Sequence, residues 1–427
     1  MDLTIEGKAY INGSFENCCL GIKDKKIVEI KKVLKADKHI KFPNKLILPA
    51  GIDMHVHFRD PGMMHKEDFS TGSLAAAFGG ISCVFDMPNT NPQTVLLQHL
   101  EDKISSAKKK SFTDFGIYAG ITNNNLSQIE LLEKKASGFK IYLGETTNSL
   151  DFNFQNLPSV FSKLSQSNKP ILFHAEDKAC LKQLKSKEEN LADHLKNRPA
   201  KCEEMAIKNI LNYSNKTNSK IHICHLSSVE GLELIRNRTK NISIGATPHH
   251  LLLNIENSQK TDTYKKVNPP IRSNFDKESL FNALNQGIID VLESDHAPHT
   301  KDEKDADFSE SPSGIPGVET MYPMFLYFVK KDIFPIQRLI SVMCEKPAEI
   351  LDTPKGKIAK GMDADFIVTD LKKETKINSD NLHSKCGWSP FESRHAIFPE
   401  YVFIRGEKVI EENEIQVSQG FGKFVGE

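Results

Sequence analysis

No run of apolar residues in the chain comes near the ~18 that a membrane-spanning helix requires, so no span is expected. Neither sign of charge is in excess: Lys plus Arg and Asp plus Glu each number 56 in 427 residues. That balance removes the electrostatic case for binding nucleic acid or an anionic membrane. The opening Met1-Asp2-Leu3-Thr4-Ile5-Glu6 lacks the basic and apolar segments of a signal peptide, and a cytoplasmic location is expected. The eight cysteines (18, 19, 83, 180, 202, 224, 344 and 386) show no CxxC spacing. They are read as reduced thiols, several of them buried, which excludes a disulfide scaffold and a cysteine–zinc site. The single tryptophan, Trp388, is read as packing between domains. No Gly-rich phosphate fingerprint follows any strand-like stretch, which argues against a doubly wound dinucleotide-binding sheet.

What is present is a change of texture along the chain. The first fifty residues alternate in the manner of short strands, as in Lys26-Ile27-Val28-Glu29-Ile30. From residue 51 strand-like and helix-like stretches take turns, the pattern of a parallel sheet. Expected strands are 46–57, 80–86, 114–120, 138–143, 171–175, 221–226, 242–247 and 288–294, with helices between them. The expected fold is α/β, a TIM-type (β/α)8 barrel at 51–354. Short strands return after Lys355, so 1–50 and 355–427 are expected to form one small β-sandwich domain. The charged, Ser- and Pro-containing stretch Lys301–Pro312 is read as a mobile loop rather than a folded element.

In such a barrel reactive groups sit at the C-terminal ends of strands. The first strand ends in Asp53-Met54-His55-Val56-His57-Phe58-Arg59. Alternate residues of a strand share a face, so His55, His57 and Arg59 point one way if the strand persists that far. Two such imidazoles can hold a metal, and the guanidinium beside them an anion. Taken alone, such a pair is more often one that packs or faces water. The other strand ends supply Lys140, His174, His225 and Asp295. Joint placement of these residues on one rim marks a metal site. Lys140 lies inside an apolar strand, where it either snorkels to the rim, pairs with an acid, or reacts with carbon dioxide. The last choice gives an anionic carbamate able to bridge two ions, and four histidines exceed the usual three protein ligands of one catalytic zinc.

These residues, with Met87-Pro88-Asn89-Thr90, Ser294-Asp295-His296-Ala297-Pro298-His299 and Gly314-Ile315-Pro316-Gly317-Val318-Glu319-Thr320, resemble the dihydroorotase family of cyclic amidases in the amidohydrolase superfamily. The likeness runs over almost the whole chain. It implies zinc-dependent, reversible hydrolysis of a cyclic amide, the ring-closing step of pyrimidine biosynthesis. It implies two zinc ions, one on His55, His57 and Asp295 and the other on His174 and His225, bridged by carboxylated Lys140 and a hydroxide. Asp295 would also be the catalytic base. Arg59, Asn89 and His299 would hold the substrate carboxylate, with Asn268, Ser313 and Gly314 as further contacts. Thr146 and Thr147 would belong to a closing loop. The resemblance also implies a homodimer acting on a small molecule. Allantoinases, dihydropyrimidinases and a non-catalytic scaffold are the alternatives; a neutral ring has little use for Arg59, and a scaffold would lack a ligand. His249 and His250 are read as hydrogen-bonding behind the ligands. His222 and His296 are expected to point away from the centre, and Cys224 to lie in the core.

Overall fold

The computed structural model describes residues 1–144, 150, 152–214, 217–259 and 261–426. Four strands come first: β1 (Leu3–Ile11), β2 (Ser14–Lys23), β3 (Lys26–Lys31) and β4 (Lys38–Pro49). Eight more follow as β5 (Gly51–Val56), β6 (Ile81–Asp86), β7 (Asp114–Gly120), β8 (Gly138–Tyr142), β9 (Ile171–His174), β10 (Ile221–Ile223), β11 (Ile242–Ala246) and β12 (Val291–Leu292). Strands β5 to β12 pair in chain order, and every ladder is parallel. The ring closes where Val56 bridges to His296 and the His57 N–H donates to the His296 carbonyl at 2.8 Å. The expected barrel is present. Its first, sixth and eighth strands stop short of the expected ends because the backbone soon turns to positive φ: 62° at Arg59, 37° at His225 and 46° at Asp295. A ladder cannot continue through that conformation.

The remaining strands are β13 (Phe366–Thr369), β14 (Thr375–Lys376), β15 (His395–Ala396), β16 (Tyr401–Ile404), β17 (Glu407–Glu411) and β18 (Glu414–Ile415). Strands from both ends of the chain join in one sheet of order β18-β17-β16-β13-β4-β1-β2-β3, while β14 and β15 pair with each other. Period-two alternation gives this sheet two buried faces. Ile47, Phe366, Val368 and Phe403 join a core internal to the curled sheet. Their chain neighbours Leu48, Ile367, Val402 and Ile404 face the other way, into the main barrel core. Among the described residues no helix is long and apolar enough to cross a membrane.

Two expectations are corrected. Lys301–Pro312 is not an unstructured loop: a short helix, Lys301–Lys304, opens it with a reciprocal capping box between Thr300 and Glu303, and Lys304 is buried. Not all cysteines are thiols either, since Cys180 and Cys202 form a disulfide, leaving six free and buried. The bonded pair lies in the helices Lys178–Leu184 and Ala200–Ser214. The Asp177 N–H donates to the Cys202 carbonyl at 2.9 Å, so tertiary packing brings together two residues whose linear spacing of 22 carries no signal.

Candidate active site

At the C-terminal rim of the barrel lies a cavity of about 190 Å³, lined by His55, His57, Arg59, Asn89, His174, His225, Asn268, Asp295, Ser313 and Gly314. It is smaller than the ~300–1,000 Å³ of pockets for drug-sized ligands, and suits one small ring. Lys140 and His299 are buried beside it. Thr146 and Thr147 fall outside the described residues. Tyr142 lines the cavity although the sequence reading passed over it. Its signal was present: it stands two residues after Lys140 on β8, whose alternate residues Phe139 and Ile141 face the outer core.

The imidazoles are oriented from behind. His57 sits between two oxygens, its Nδ1 2.7 Å from Asn89 Oδ1 and its Nε2 3.0 Å from Asp295 Oδ1. His174 Nε2–H donates to Glu176 Oε2 at 2.8 Å, so its Nδ1 lone pair faces His225 Nε2 at 3.1 Å. His55 Nε2 lies 3.2 Å from Asp295 Oδ1, and its Nδ1 is 3.4 Å from Glu293. Glu293 also accepts from the His225 backbone N–H at 2.6 Å and from His222 at 3.2 Å. The sequence reading named neither Glu176 nor Glu293. Each stands two residues from a ligand, where a carboxylate behind an imidazole sets its tautomer.

His222 therefore does not point away from the centre. β10 is regular, so its alternation sends Ile221 and Ile223 outward and His222 and Cys224 inward. His225 reaches the pocket because its positive φ breaks that alternation. Arg59 arrives in the same way, beyond the end of β5 rather than on it. His296 does turn aside, towards Glu67 and the Gly317 N–H. His250 makes the expected hydrogen bonds, to Thr247 Oγ1 at 2.8 Å and the Pro269 carbonyl at 3.0 Å. His249 Nε2 finds no partner among the described residues. Trp388 packs edge-on to Tyr264 and donates Nε1–H to the His299 carbonyl at 2.8 Å.

Burial decides the charge states. It pushes His55 down to about 4 and holds His174 below and His225 well below the usual histidine value, leaving neutral donors at neutral pH. For Asp295 burial acts upward, but His55, His57 and His225 around it hold the carboxyl well below its usual range. Lys140 is 0% exposed, so it does not snorkel. No acid pairs with it among the described residues; its Nζ donates to Cys224 Sγ at 3.0 Å. Burial pushes that thiol up to about 12, so the sulfur is a neutral acceptor. Both ordinary accounts of Lys140 are thereby removed.

The donor set fits a divalent metal. His55, His225 and Asp295 offer ligand atoms within 4.8 Å of one another. The 3.1 Å between the facing nitrogens of His174 and His225 is close to what two metal–nitrogen bonds of ~2.0–2.1 Å require. His225 Nδ1 and the Tyr142 hydroxyl are buried without partners among the described residues. On the opposite wall Arg59, 3% exposed, donates Nε–H to the Pro298 carbonyl and Nη2–H towards His299 Nε2, both at 3.2 Å. No carboxylate forms an ion pair with it among the described residues. An ionised aspartate, four imidazoles and a guanidinium with no carboxylate partner among the described residues thus line one small cavity, with Lys140 buried beside it.

Many known proteins resemble this chain in sequence or in fold. Residues 46–405 match the amidohydrolase family. A dihydroorotase of Methanosarcina acetivorans is 38% identical over 98% of this chain and 94% of its own length. One from Thermoplasma acidophilum is 40% identical over 100% of this chain and 98% of its own. Among solved structures, L-hydantoinase (dihydropyrimidinase) from Arthrobacter aurescens superposes with a TM-score of 0.94 at 28% identity, covering 99% of each chain. By sequence and by fold together, the chain belongs to the amidohydrolase family.

Proposed function

We propose that the protein is a hydrolase of a cyclic amide and, more narrowly, a dihydroorotase, converting dihydroorotate to N-carbamoyl-aspartate and back. The relatives at 38% and 40% identity carry that name, whereas the structural neighbour is a hydantoinase. The observation that carries the choice is Arg59, a buried guanidinium with no acidic partner among the described residues, lining the cavity that holds the metal-type donors. A hydantoin or dihydrouracil ring has no carboxylate to answer it; dihydroorotate has one, and the guanidinium fork matches it.

On this reading two zinc ions are held by His55, His57 and Asp295 and by His174 and His225, with carboxylated Lys140 between them. Bound there, the metals supply a polarised carbonyl and a water acidic enough to react near neutral pH. Asp295, held ionised by its histidine neighbours, accepts the proton of the attacking water and returns it to the departing ring nitrogen. Arg59 and His299, with Asn89, Asn268 and the Ser313–Gly314 backbone, orient the substrate carboxylate. We further infer a catalytic unit at 51–354 carried on a β unit of 1–50 and 355–427. The test is zinc content measured beside hydrolysis of dihydroorotate, allantoin and dihydrouracil. Turnover of dihydroorotate is expected, and activity confined to either of the others overturns the substrate assignment.

A further inference from the structure

Lys304 is fully buried, yet no carboxylate pairs with it among the described residues. Its Nζ faces three backbone carbonyls instead: Pro312 at 2.9 Å, and Lys266 and Gly314 each at 3.4 Å. An ammonium has three N–H donors, so each finds an acceptor. A buried charge is tolerated only when satisfied in this way, and an apolar side chain would fill the same space at less cost. The three carbonyls belong to two different walls of the active-site cavity. Lys266 precedes Val267 and Asn268 on one wall; Pro312, Ser313 and Gly314 make the other. The walls also meet directly, where the Gly314 N–H donates to the Lys266 carbonyl at 2.9 Å.

The fit at this seam is tight. A Cβ on Gly314 would stand 2.4 Å from the Ala297 carbonyl oxygen and 2.8 Å from the His299 ring, so only glycine fits here. The Trp388 ring covers the ammonium from outside, its centroid 5.7 Å from Nζ. The titratable groups facing Lys304 are Lys266, Asp262, Glu303 and His299; burial, reinforced by Lys266, lowers its pKa to about 7.

We infer that Lys304 is a positioning residue: its ammonium locks the 266–268 wall to the 312–314 wall and so fixes Asn268, Ser313 and Gly314 at the spacing that receives a substrate carboxylate. The inference rests on the dihydroorotase reading and adds to it a residue that sets preference for a carboxylate-bearing ring without touching it.

The test is steady-state kinetics of Lys304→Met and Lys304→Gln with dihydroorotate, beside metal content and thermal melting. The expected result is a KM raised by about 10-fold or more with kcat within about 3-fold of wild type and metal content unchanged. A residue that only supported the fold would lower the melting temperature and the active fraction and leave KM alone; that outcome overturns the inference. Should neither variant melt cooperatively, the wild type carries the test. Its KM is expected to rise above about pH 7, as the ammonium loses its charge, on a profile that kcat does not share. A KM flat between about pH 6 and 9 overturns the inference. Wild-type protein inactive on dihydroorotate overturns both readings; active wild type with unaltered KM in the variants overturns this one alone.

Discussion

Arg59 and His299 meet edge to edge, guanidinium Nη2 to imidazole Nε2 at 3.2 Å, while Lys66 Nζ stands 3.1 Å from the other ring nitrogen. A neutral imidazole offers one lone pair and an imidazolium none. Burial and the neighbouring Arg59 push His299 down to about 3, so the ring stays neutral through the physiological range. Lys66 has Glu303 at 2.8 Å to balance it. Of Arg59 and Lys66, the one without a carboxylate partner among the described residues is therefore Arg59.

Arg59→Met removes that charge. Hydrogen bonds to charged groups contribute roughly 1.5–3 kcal/mol each, so losing a bidentate pair is expected to lower kcat/KM for dihydroorotate by about 10²–10⁴-fold. Arg59→Lys is expected to recover little, because a point charge does not reproduce the fork. Zinc content should be unchanged. A variant within a few-fold of wild type would place the carboxylate elsewhere.

Asp295→Asn keeps an oxygen towards the metal side but cannot take a proton. Much of the metal is expected to remain while turnover falls by about 10²–10⁴-fold. Near-wild-type turnover with full metal would falsify its role as base.

Lys140→Ala is expected to leave fewer than two zinc ions per chain and to abolish most activity, since alanine cannot carry a carbamate. Metal analysis of the purified variant reads this directly. Two zincs retained per chain would end the bridging assignment.

His250 links catalysis-side architecture to acid stability. Burial pushes its pKa to about 4, against ~6.5 when unfolded. The unfolded chain therefore binds a proton that the native chain refuses between these values. Stability associated with His250 is fully present above pH ~6.5 and is lost progressively as pH falls towards about 4, by up to ~1.4 kcal/mol per pH unit. His250→Gln is expected to be less stable at neutral pH, yet to lose stability less steeply over that window. Parallel stability–pH curves for the two proteins would show that the histidine contributes no linkage.

The barrel was legible because its strands are apolar and punctuated, and because metal-type residues fall at their ends. His55, Lys140 and His174 lie on strands, where period-two reading places them. Arg59, His225 and Asp295 also reach the pocket, but through positive φ that no period-two reading contains. The same regularity misplaced His222, which β10 turns inward to Glu293. Lys301–Pro312 was misread from its composition, although Thr300 and Glu303 stand at the spacing of a capping box. Cys180 and Cys202 had no local signal, because only helix packing brings them together.

The two buried faces of the terminal sheet bear on how the protein comes apart. Ile47 and Leu48 are adjacent in the chain but sit in different cores, and only Ala50 separates β4 from the strand that carries His55. Opening the sheet would strip apolar cover from the barrel and pull on β5 at once. The molecule should consequently unfold in one cooperative transition, with loss of the rim that gathers His55, His225 and Asp295 coincident with loss of the sheet, and no partly unfolded form that keeps one without the other.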